Sequence, residues 1–332
     1  MPSVHTPCSK RSKTMENPRT ALVLGATGGI GRAVAKALLA HGWSVTAMRR
    51  GGAATTGDHL DGMRWIEGDA MQAVDVLRAA QGAQVIVHAV NPKGYRDWGR
   101  LVLPMIDNSI AAARAVGARI VLPGTIYNYG PDAFPDLVED APQHPVTAKG
   151  AIRVELENRL AAAAKDGVAV LILRLGDFFG PGGGNNWFAQ GLVKPGTRLK
   201  AITYPGHKGL GHAWAYLPDA AETIALLLDR AEALEPFARF HFAGHWDADG
   251  TQMTRAIAAA LGRDIPVKPL PWFLLRVAGW FQETPREIVK MRYLWQQPVR
   301  LDNHRLTGFL GVEPHTPFGE AVRETLAGLG VS

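Results

Sequence analysis

Cysteine is almost absent from this sequence, with Cys8 as the single example among 332 residues. One thiol can form no internal disulfide and cannot supply a cysteine-based metal site, and such usage is typical of a reducing compartment. We therefore expect a cytoplasmic protein that holds no metal.

Long apolar runs are missing as well, since no uninterrupted stretch approaches the roughly 20 residues that a membrane helix needs. We expect neither a membrane span nor a membrane partner. The charge balance is modest, with 36 Lys and Arg residues against 30 Asp and Glu residues and a formal charge of +6. Because the cations are scattered rather than clustered, the sequence predicts a small, phosphate-bearing ligand and no nucleic acid partner.

Apolar residues, by contrast, are plentiful, at 47% of the chain against 20% charged residues. This length and composition suit two lobes with sizeable cores. Residues 1–18 are polar and basic, and we interpret them as a flexible leader, with Met15 as an alternative start. The boundaries that we predict are a dinucleotide-binding domain of residues 19–180 and 211–235 and a substrate lobe of residues 181–210 and 236–330.

The stretch ALVLGATGGIGRAVAKALLA, from Ala21 to Ala40, joins a short apolar run, a glycine-dense turn and an alanine-rich helical pattern. Gly25, Gly28 and Gly31 are spaced by three, which permits a tight exit from a strand, close approach to a pyrophosphate and close packing of helix on strand. The unpaired N–H groups at the start of such a helix attract an anion. In this context the pattern predicts dinucleotide binding, although a glycine trio alone fits any strand-to-helix turn.

Apolar runs continue to alternate with helical patterns, which predicts a doubly wound parallel sheet with ligands at the carboxyl ends of its strands. The second strand ends on Arg49 and Arg50, where an NAD-binding protein would carry an acid for the ribose hydroxyls. A guanidinium there suits a 2′-phosphate, so we favour NADP(H) over NAD(H), with a solvated basic turn as the alternative. Asp69 is placed either to meet the adenine amine or to cap the helix that follows.

The fourth strand runs into Asn91, where we expect the loop on the nicotinamide side of the cleft. The strand ends and the glycine turn together define the expected cofactor contacts: Gly25, Thr27, Gly28, Gly29, Ile30, Gly31, Arg49, Arg50, Asp69, Ala70, Ala89 and Val90.

These residues resemble the extended branch of the short-chain dehydrogenase/reductase superfamily, which includes nucleotide-sugar epimerases, dehydratases and 3-beta-hydroxysteroid-type dehydrogenases. The resemblance rests on the GATGGIG turn and on the runs Thr125–Gly130, Leu173–Gly182 and Tyr216–Asp219. It extends from Ala21 to about Leu326. It implies an α/β fold with a doubly wound (Rossmann) sheet, a second, smaller, discontinuous α/β substrate lobe, a nicotinamide cofactor and a homodimer.

The chain departs from this family at the catalytic pair, a tyrosine followed four residues later by a lysine. The corresponding positions hold Lys149 and Arg153, whereas Thr125 matches the family's hydroxyl. The resemblance therefore adds Lys149 to the expected cofactor contacts. Hydride transfer to a carbonyl needs a proton donor or a stabilising cation. Lys149, or else Tyr127, is the candidate donor, with Thr125 to orient the carbonyl and Arg153 to hold the ribose. Desolvation and the charge of Arg153 would lower the pKa of Lys149. An exposed basic helix face is the alternative.

The substrate lobe is rich in Gly, Trp, His and Lys between residues 185 and 214. The candidate substrate contacts are Asn91, Asn186, Trp187, Tyr204 and His212. The aromatic run at residues 271–281 predicts core packing or a lid over an apolar substrate, with a dimer or membrane-surface contact as alternatives. We expect an NAD(P)(H)-dependent oxidoreductase acting on a small molecule; a sugar-nucleotide epimerase or dehydratase and a noncatalytic NADP(H)-binding sensor are the alternatives.

Overall fold

The computed structural model describes residues 19–51, 59–92, 97–184 and 186–332, so the leader and Cys8 lie outside the described residues. The strands, in chain order, are β1 (Thr20–Leu24), β2 (Ser44–Arg49), β3 (His59–Leu60), β4 (Met63–Glu67), β5 (Val85–His88), β6 (Arg119–Thr125), β7 (Asp136–Leu137), β8 (Val170–Leu175), β9 (Asp177–Phe179), β10 (Ile202–Tyr204), β11 (His212–Tyr216), β12 (Phe237–His241), β13 (His245–Asp247), β14 (Val267–Pro269) and β15 (Arg300–Leu301).

The α-helices are α1 (Gly29–Ala40), α2 (Ala73–Ala79), α3 (Trp98–Val116), α4 (Ala148–Lys165), α5 (Leu217–Asp229), α6 (Gln252–Ala260), α7 (Trp272–Ala278), α8 (Glu283–Lys290), α9 (His304–Leu310) and α10 (Phe318–Gly328). Short 3₁₀ segments occupy Pro131–Ala133, Ala231–Ala233 and Met291–Trp295, and a π-helical turn occupies Phe188–Leu192.

Eight strands form the main sheet in the order β12-β8-β6-β5-β1-β2-β4-β3. Seven of them are parallel, and β3 is antiparallel to β4 at one edge. The strand order reverses between β1 and β5, which pair in the register Ala21↔Val85 to Leu24↔His88. Ligands of such sheets bind beside the carboxyl ends of the strands at this reversal. The predicted doubly wound sheet is therefore confirmed.

The central strands read as continuous apolar runs because helices cover both faces of the sheet. Helices α1 and α5 pack together over one face, and α2, α3 and α4 pack over the other. Because helices cover both faces, the loops that follow the strands meet at the carboxyl edge of the sheet.

The smaller lobe has its own core, built around Trp214, Trp295 and Met253. Its strands form a three-stranded sheet, β13-β11-β9, and the pairs β10-β14 and β15-β7. The strand pairing differs from our sequence boundaries in two ways. Strand β12 belongs to the main sheet although it follows residue 235, and β9 and β11 pair with β13 rather than joining the main sheet. In the described part of the chain, none of the helices has the length and apolar character that crossing a membrane requires.

Candidate functional site

The glycine turn lies between β1 and α1, at the reversal of strand order. Gly25 has φ +89°, a region that favours glycine, and the Gly28 N–H donates to Gly25 O over 2.9 Å. A Cβ atom on Gly25 would lie 2.5 Å from Ala89 O, and one on Gly31 would lie 2.3 Å from Gly25 O. Only glycine allows these backbones to approach so closely, and they bring the turn against the segment that follows β5.

Helix α1 begins at this turn with no side-chain cap at Gly28 and no acidic residue in its first turn. Thr27 and Gly28 are exposed, and Gly29 and Ile30 are half-buried. The first N–H groups of a helix have no partner within the helix, and they are favourable sites for phosphate. The predicted contacts at residues 25–31 therefore form a cradle that fits the diphosphate of a dinucleotide.

Arg50 and Asp69 line a cavity of about 830 Å³ beside the carboxyl ends of β2 and β4. Arg50 is exposed, whereas the Arg49 guanidinium lies 5.0 Å from the ring centroid of Trp65. Asp69 Oδ1 accepts the Met71 N–H over 3.0 Å, and α2 begins two residues later. Asp69 therefore does not cap α2, and its carboxylate lies at the cavity wall with Ala70 buried beside it.

Thr125 ends β6, and its hydroxyl oxygen accepts the Tyr127 N–H over 2.8 Å. The chain therefore turns after Thr125 instead of continuing as an extended strand, so the two side chains do not share a strand face. Gly150 lies directly against this turn, since a Cβ atom there would be 2.3 Å from Tyr127 O. This close approach brings the end of β6 to the first turn of α4, next to Lys149.

Helix α4 is capped by Thr147, whose Oγ1 accepts the Gly150 N–H over 3.0 Å. Such a cap fixes the first helical turn. Lys149 and Arg153 follow on one face, and they are only 2% and 8% exposed. The alternative of an exposed basic helix face is therefore wrong.

Lys149 is held between the two lobes. Its Nζ lies 3.2 Å from Glu287 Oε2 on α8 and 5.6 Å from the ring centroid of Trp98. The Arg153 guanidinium lies 5.1 Å from the same ring, and its Nη2 donates to Asn91 Oδ1 over 3.4 Å. Because Asn91 directly follows Ala89 and Val90, which abut Gly25, the two cations lie at the carboxyl edge that the glycine turn also borders.

The electrostatics of this pair follow from burial. Burial lowers the pKa of Lys149 to about 8, against the opposing effect of Glu287, and the like charge of Lys290 lowers it further. Lys290 is thus one like charge in this balance, and the contribution of Arg153 stays a prediction. Burial opposes ionisation of Glu287, yet hydrogen bonds from Lys290 and the charge of Lys149 lower its pKa. Lys290 Nζ lies 2.7 Å from Glu287 Oε1, so one carboxylate bridges two ammonium groups.

His88 lies under Arg153 at the end of β5. Burial and the charge of Arg153 lower its pKa to about 3, and its Nδ1 is 2.8 Å from Ser109 Oγ. A neutral imidazole there adds no further positive charge near Arg153.

A buried polar network anchors α4 to the sheet. Arg174 pairs with Glu157 through Nη2 at 2.6 Å and Nε at 3.1 Å, and it donates to the Tyr129 hydroxyl over 2.5 Å and to Glu139 O over 2.9 Å. Because Glu157 lies two helical turns after Lys149, this ion pair fixes the axial position of the helix that carries the two cations.

The aromatic substrate candidates converge on Trp295. His212 stacks on the Trp295 ring with centroids 3.8 Å apart, and His212 Nε2 lies 2.9 Å from Asp177 Oδ2. Trp187 and Tyr204 lie 5.4 and 5.8 Å from the same ring. All of these rings are at least nine-tenths buried, so in the structure they form a closed aromatic cluster.

Asn186 is used locally instead. Its Nδ2 donates to Gly183 O over 3.0 Å, and its Oδ1 accepts the Ala189 N–H over 2.8 Å. Both ends of the amide therefore stabilise the loop, and the role of Asn186 as a substrate contact stays a prediction. Asn91, the other amide candidate, is exposed and bonded to Arg153.

The sequence analysis missed Glu287, Trp98, Asp177 and Trp295. Glu287 lies 138 positions after its partner Lys149, and no local spacing connects the two. Trp98 is the first residue of α3, and in the sequence a tryptophan at the start of a helix is indistinguishable from ordinary core packing. In the described ranges, no three His, Cys, Asp or Glu side chains are grouped closely enough to hold a metal ion.

This fold and cleft are those of a known family of nucleotide-dependent enzymes. A model of the NAD dependent epimerase/dehydratase family matches residues 21–241, more than half of the chain. The chain belongs to this family, as the resemblance to the extended short-chain dehydrogenases/reductases predicts, and it is an NAD(P)-dependent enzyme of that type.

One curated relative is a 3-diazoavenalumate denitrifying reductase from a Streptomyces species. It is 31% identical over 281 residues, which are 78% of this chain and 87% of that protein. Solved structures share the fold. The UDP-glucose 4-epimerase of Thermus thermophilus in complex with NAD is 22% identical, with a TM-score of 0.69 over 93% of this chain and 98% of that one. The UDP-glucuronic acid 4-epimerase of Bacillus cereus in complex with NAD is 17% identical, with a TM-score of 0.71 over 93% and 96%.

Proposed function

We propose that the chain is an NAD(P)H-dependent reductase that prefers NADP(H) and uses Lys149 where its relatives of the extended short-chain type carry a tyrosine. One observation carries this proposal. A buried lysine with a lowered pKa lies between Trp98 and Glu287, one helical turn from an arginine that reaches the carboxyl edge of the sheet. Perturbed, buried cations in a cleft between lobes are typical of reaction centres.

The residues present fit a nicotinamide dinucleotide. The glycine cradle at residues 25–31 accepts the diphosphate, and Asp69 is available to the adenine amine. Arg50 favours a 2′-phosphate. It lies where an NAD-binding protein would carry an acidic residue, and its exposed guanidinium attracts the phosphate dianion. When bound, NAD(P)H supplies a hydride to the substrate.

The chain's own residues then handle the oxygen of the carbonyl. Lys149 is largely protonated at neutral pH because its pKa is about 8, so its ammonium can donate a proton to the forming alkoxide. Thr125 accepts the Tyr127 N–H with its hydroxyl oxygen and keeps its O–H hydrogen for a substrate oxygen. Arg153 stays charged at every relevant pH and is placed to hold the nicotinamide ribose.

A second candidate is the replacement of a diazo group by hydrogen, as the name of the Streptomyces relative suggests. Reduction of a carbonyl takes up one hydride and one proton. Replacement of a diazonium group by a hydride breaks the carbon–nitrogen bond, forms a carbon–hydrogen bond and releases N₂ with no net proton uptake. Because this reaction needs no proton donor, it suits a site that lacks the family's tyrosine. Lys149 would then hold an anionic group of the substrate.

The test is consumption of NADPH by the wild-type chain with a panel of carbonyl compounds and aryl diazonium carboxylates, followed by Lys149→Met. We expect Lys149→Met to lower kcat for a carbonyl substrate by about 10²–10⁴-fold and to leave NADPH affinity, measured by fluorescence, nearly unchanged. Lys165→Met, at the exposed end of the same helix, is the matched control. Full carbonyl turnover by Lys149→Met would remove the proposed role of the lysine.

Adding UDP-sugars to the panel, each with NAD(P)⁺ as well as with NADPH, separates the alternatives. Conversion of a UDP-sugar without net NADPH consumption identifies an epimerase or dehydratase. NADPH binding with no turnover of any compound identifies a noncatalytic sensor. The homodimer that the resemblance implies stays a prediction, and sedimentation velocity tests it.

A further inference from the structure

Helix α7 and the turn that follows it carry large apolar side chains on their outer side. We call this surface the apolar knob, and it consists of Phe273 (70% exposed), Leu274 (62%), Val277 (37%), Trp280 (78%) and Phe281 (83%). Core packing, one of the two leading interpretations from the sequence, is therefore wrong for this side of the helix, whereas the lid stays a prediction. Clustered exposure of this kind marks an interaction site, unlike scattered apolar residues, which are ordinary.

The inner side of the same segment is firmly anchored. Trp272 is 9% exposed, and its indole Nε1 donates to Pro205 O over 3.0 Å. Gly279 is packed against α8, since a Cβ atom there would lie 3.0 Å from Arg286 Cα. The knob is thus presented by a well-packed scaffold, and its outward apolar surface is part of the folded structure.

The charges in the segment that carries the knob are mostly positive. Between residues 267 and 286 the chain has three cations, Lys268, Arg276 and Arg286, and one carboxylate, Glu283, all of them exposed. In the part of the chain that the structure describes, neither Lys268 nor Arg276 has a carboxylate within 4 Å, and Arg286 Nε is 3.9 Å from Glu287 Oε1. A surface that complements the knob must therefore be apolar at its centre and negative around it.

We propose that the apolar knob docks on the surface of an anionic lipid bilayer, with its aromatic rings in the interface and its cations at the headgroups. Exposed Trp, Phe and Leu beside Lys and Arg are the composition of interfacial membrane anchors. Anionic headgroups attract each flanking cation. A second copy of the chain fits less well, because a two-fold contact sets the same cations against one another. The proposal replaces the sequence expectation of no membrane partner and does not depend on the reaction.

The test is co-sedimentation of the full chain with vesicles of phosphatidylcholine alone or mixed with phosphatidylglycerol. We expect binding to the mixed vesicles that weakens as salt rises, and little binding to phosphatidylcholine alone. Trp280→Ser with Phe281→Ser should weaken binding at least about 10-fold. The matched control is Val74→Ser with Val312→Ser, which removes exposed apolar side chains elsewhere.

Arg276→Glu separates the charge effect from the apolar effect, because it should weaken binding to the mixed vesicles while the aromatic rings remain. Circular dichroism and NADPH binding confirm that each variant is folded. Failure of the wild-type chain to bind the mixed vesicles overturns the proposal, as does equal binding by the knob variant. A dimer in sedimentation velocity that the knob variant alone dissociates also overturns it, because the occupant is then a second copy.

Discussion

Glu287→Gln tests whether the carboxylate on α8 sets the protonation of Lys149 on α4. Glutamine has nearly the same shape as glutamate but carries no charge. Glu287 Oε2 lies 3.2 Å from Lys149 Nζ, and both side chains are almost fully buried. The change therefore removes an attractive charge from beside a desolvated ammonium.

The magnitude follows from the distance. Two unit charges about 4 Å apart interact by about 4 kcal/mol at an effective dielectric constant of about 20. Since one pKa unit corresponds to about 1.4 kcal/mol, this energy corresponds to about 3 units, at the upper end of the range of about 1–3 units that an opposite charge produces. Glu287 raises the pKa of Lys149, so its loss must lower that pKa from about 8 to about 5–7.

The assay is the pH dependence of kcat/KM for reduction of a carbonyl compound. Because the reaction needs the protonated lysine, wild-type activity should fall as pH rises through about 8, and that fall should move to lower pH in Glu287→Gln. The control is Glu283→Gln. Glu283 also raises the pKa of Lys149, but its effect is smaller than that of Glu287, so this variant should give a smaller shift in the same direction. Modification of Lys149 by an amine reagent across pH, followed by mass spectrometry, gives the same pKa without relying on turnover.

Two results would refute this reasoning. The first is an unchanged pH profile in Glu287→Gln together with unchanged labelling of Lys149. The second is a shift of both readouts to higher pH, because that direction requires the carboxylate to destabilise the ammonium. If labelling shifts and the rate profile does not, the ion pair is real and Lys149 is not the proton donor.

Two further predictions concern the cofactor cleft. Gly31→Ala places a Cβ atom 2.3 Å from Gly25 O, so we expect the glycine turn to be displaced. The free energy of unfolding, measured by denaturation, should fall by about 1–3 kcal/mol, and NADPH binding, measured by fluorescence titration, should weaken. The control is Gly308→Ala, which meets no atom within 4 Å and should not weaken binding. Arg50→Ser should weaken NADPH binding by about 10–100-fold and leave NADH binding nearly unchanged, because a charged hydrogen bond contributes about 1.5–3 kcal/mol. The control is Arg64→Ser, which changes an arginine of the same cavity that lies nearer the amino end of its strand. Equal losses for NADPH and NADH would contradict the 2′-phosphate assignment.

The sequence by itself determined the parts of this protein that depend on neighbours in the chain. The spacing of Gly25, Gly28 and Gly31 predicts the strand, turn and helix because each glycine acts on backbone within a few residues. The four-residue spacing of Lys149 and Arg153 places them on one helix face for the same local reason. Alternation of apolar runs and helical patterns was enough for the doubly wound sheet, since both faces of its strands are buried.

Only the tertiary structure decided what surrounds those residues. Burial of Lys149 depends on Glu287 and Trp98, which lie far away in the chain and reach it through a side-chain contact from α8 and the packing of α3 against α4. The pairing of β12 with β8, and not with a strand of the smaller lobe, is likewise a long-range choice. The sequence of an apolar run such as residues 271–281 does not show whether the run is buried or exposed. Hydrophobic side chains favour burial, but the packing of the whole chain determines which of their faces are covered.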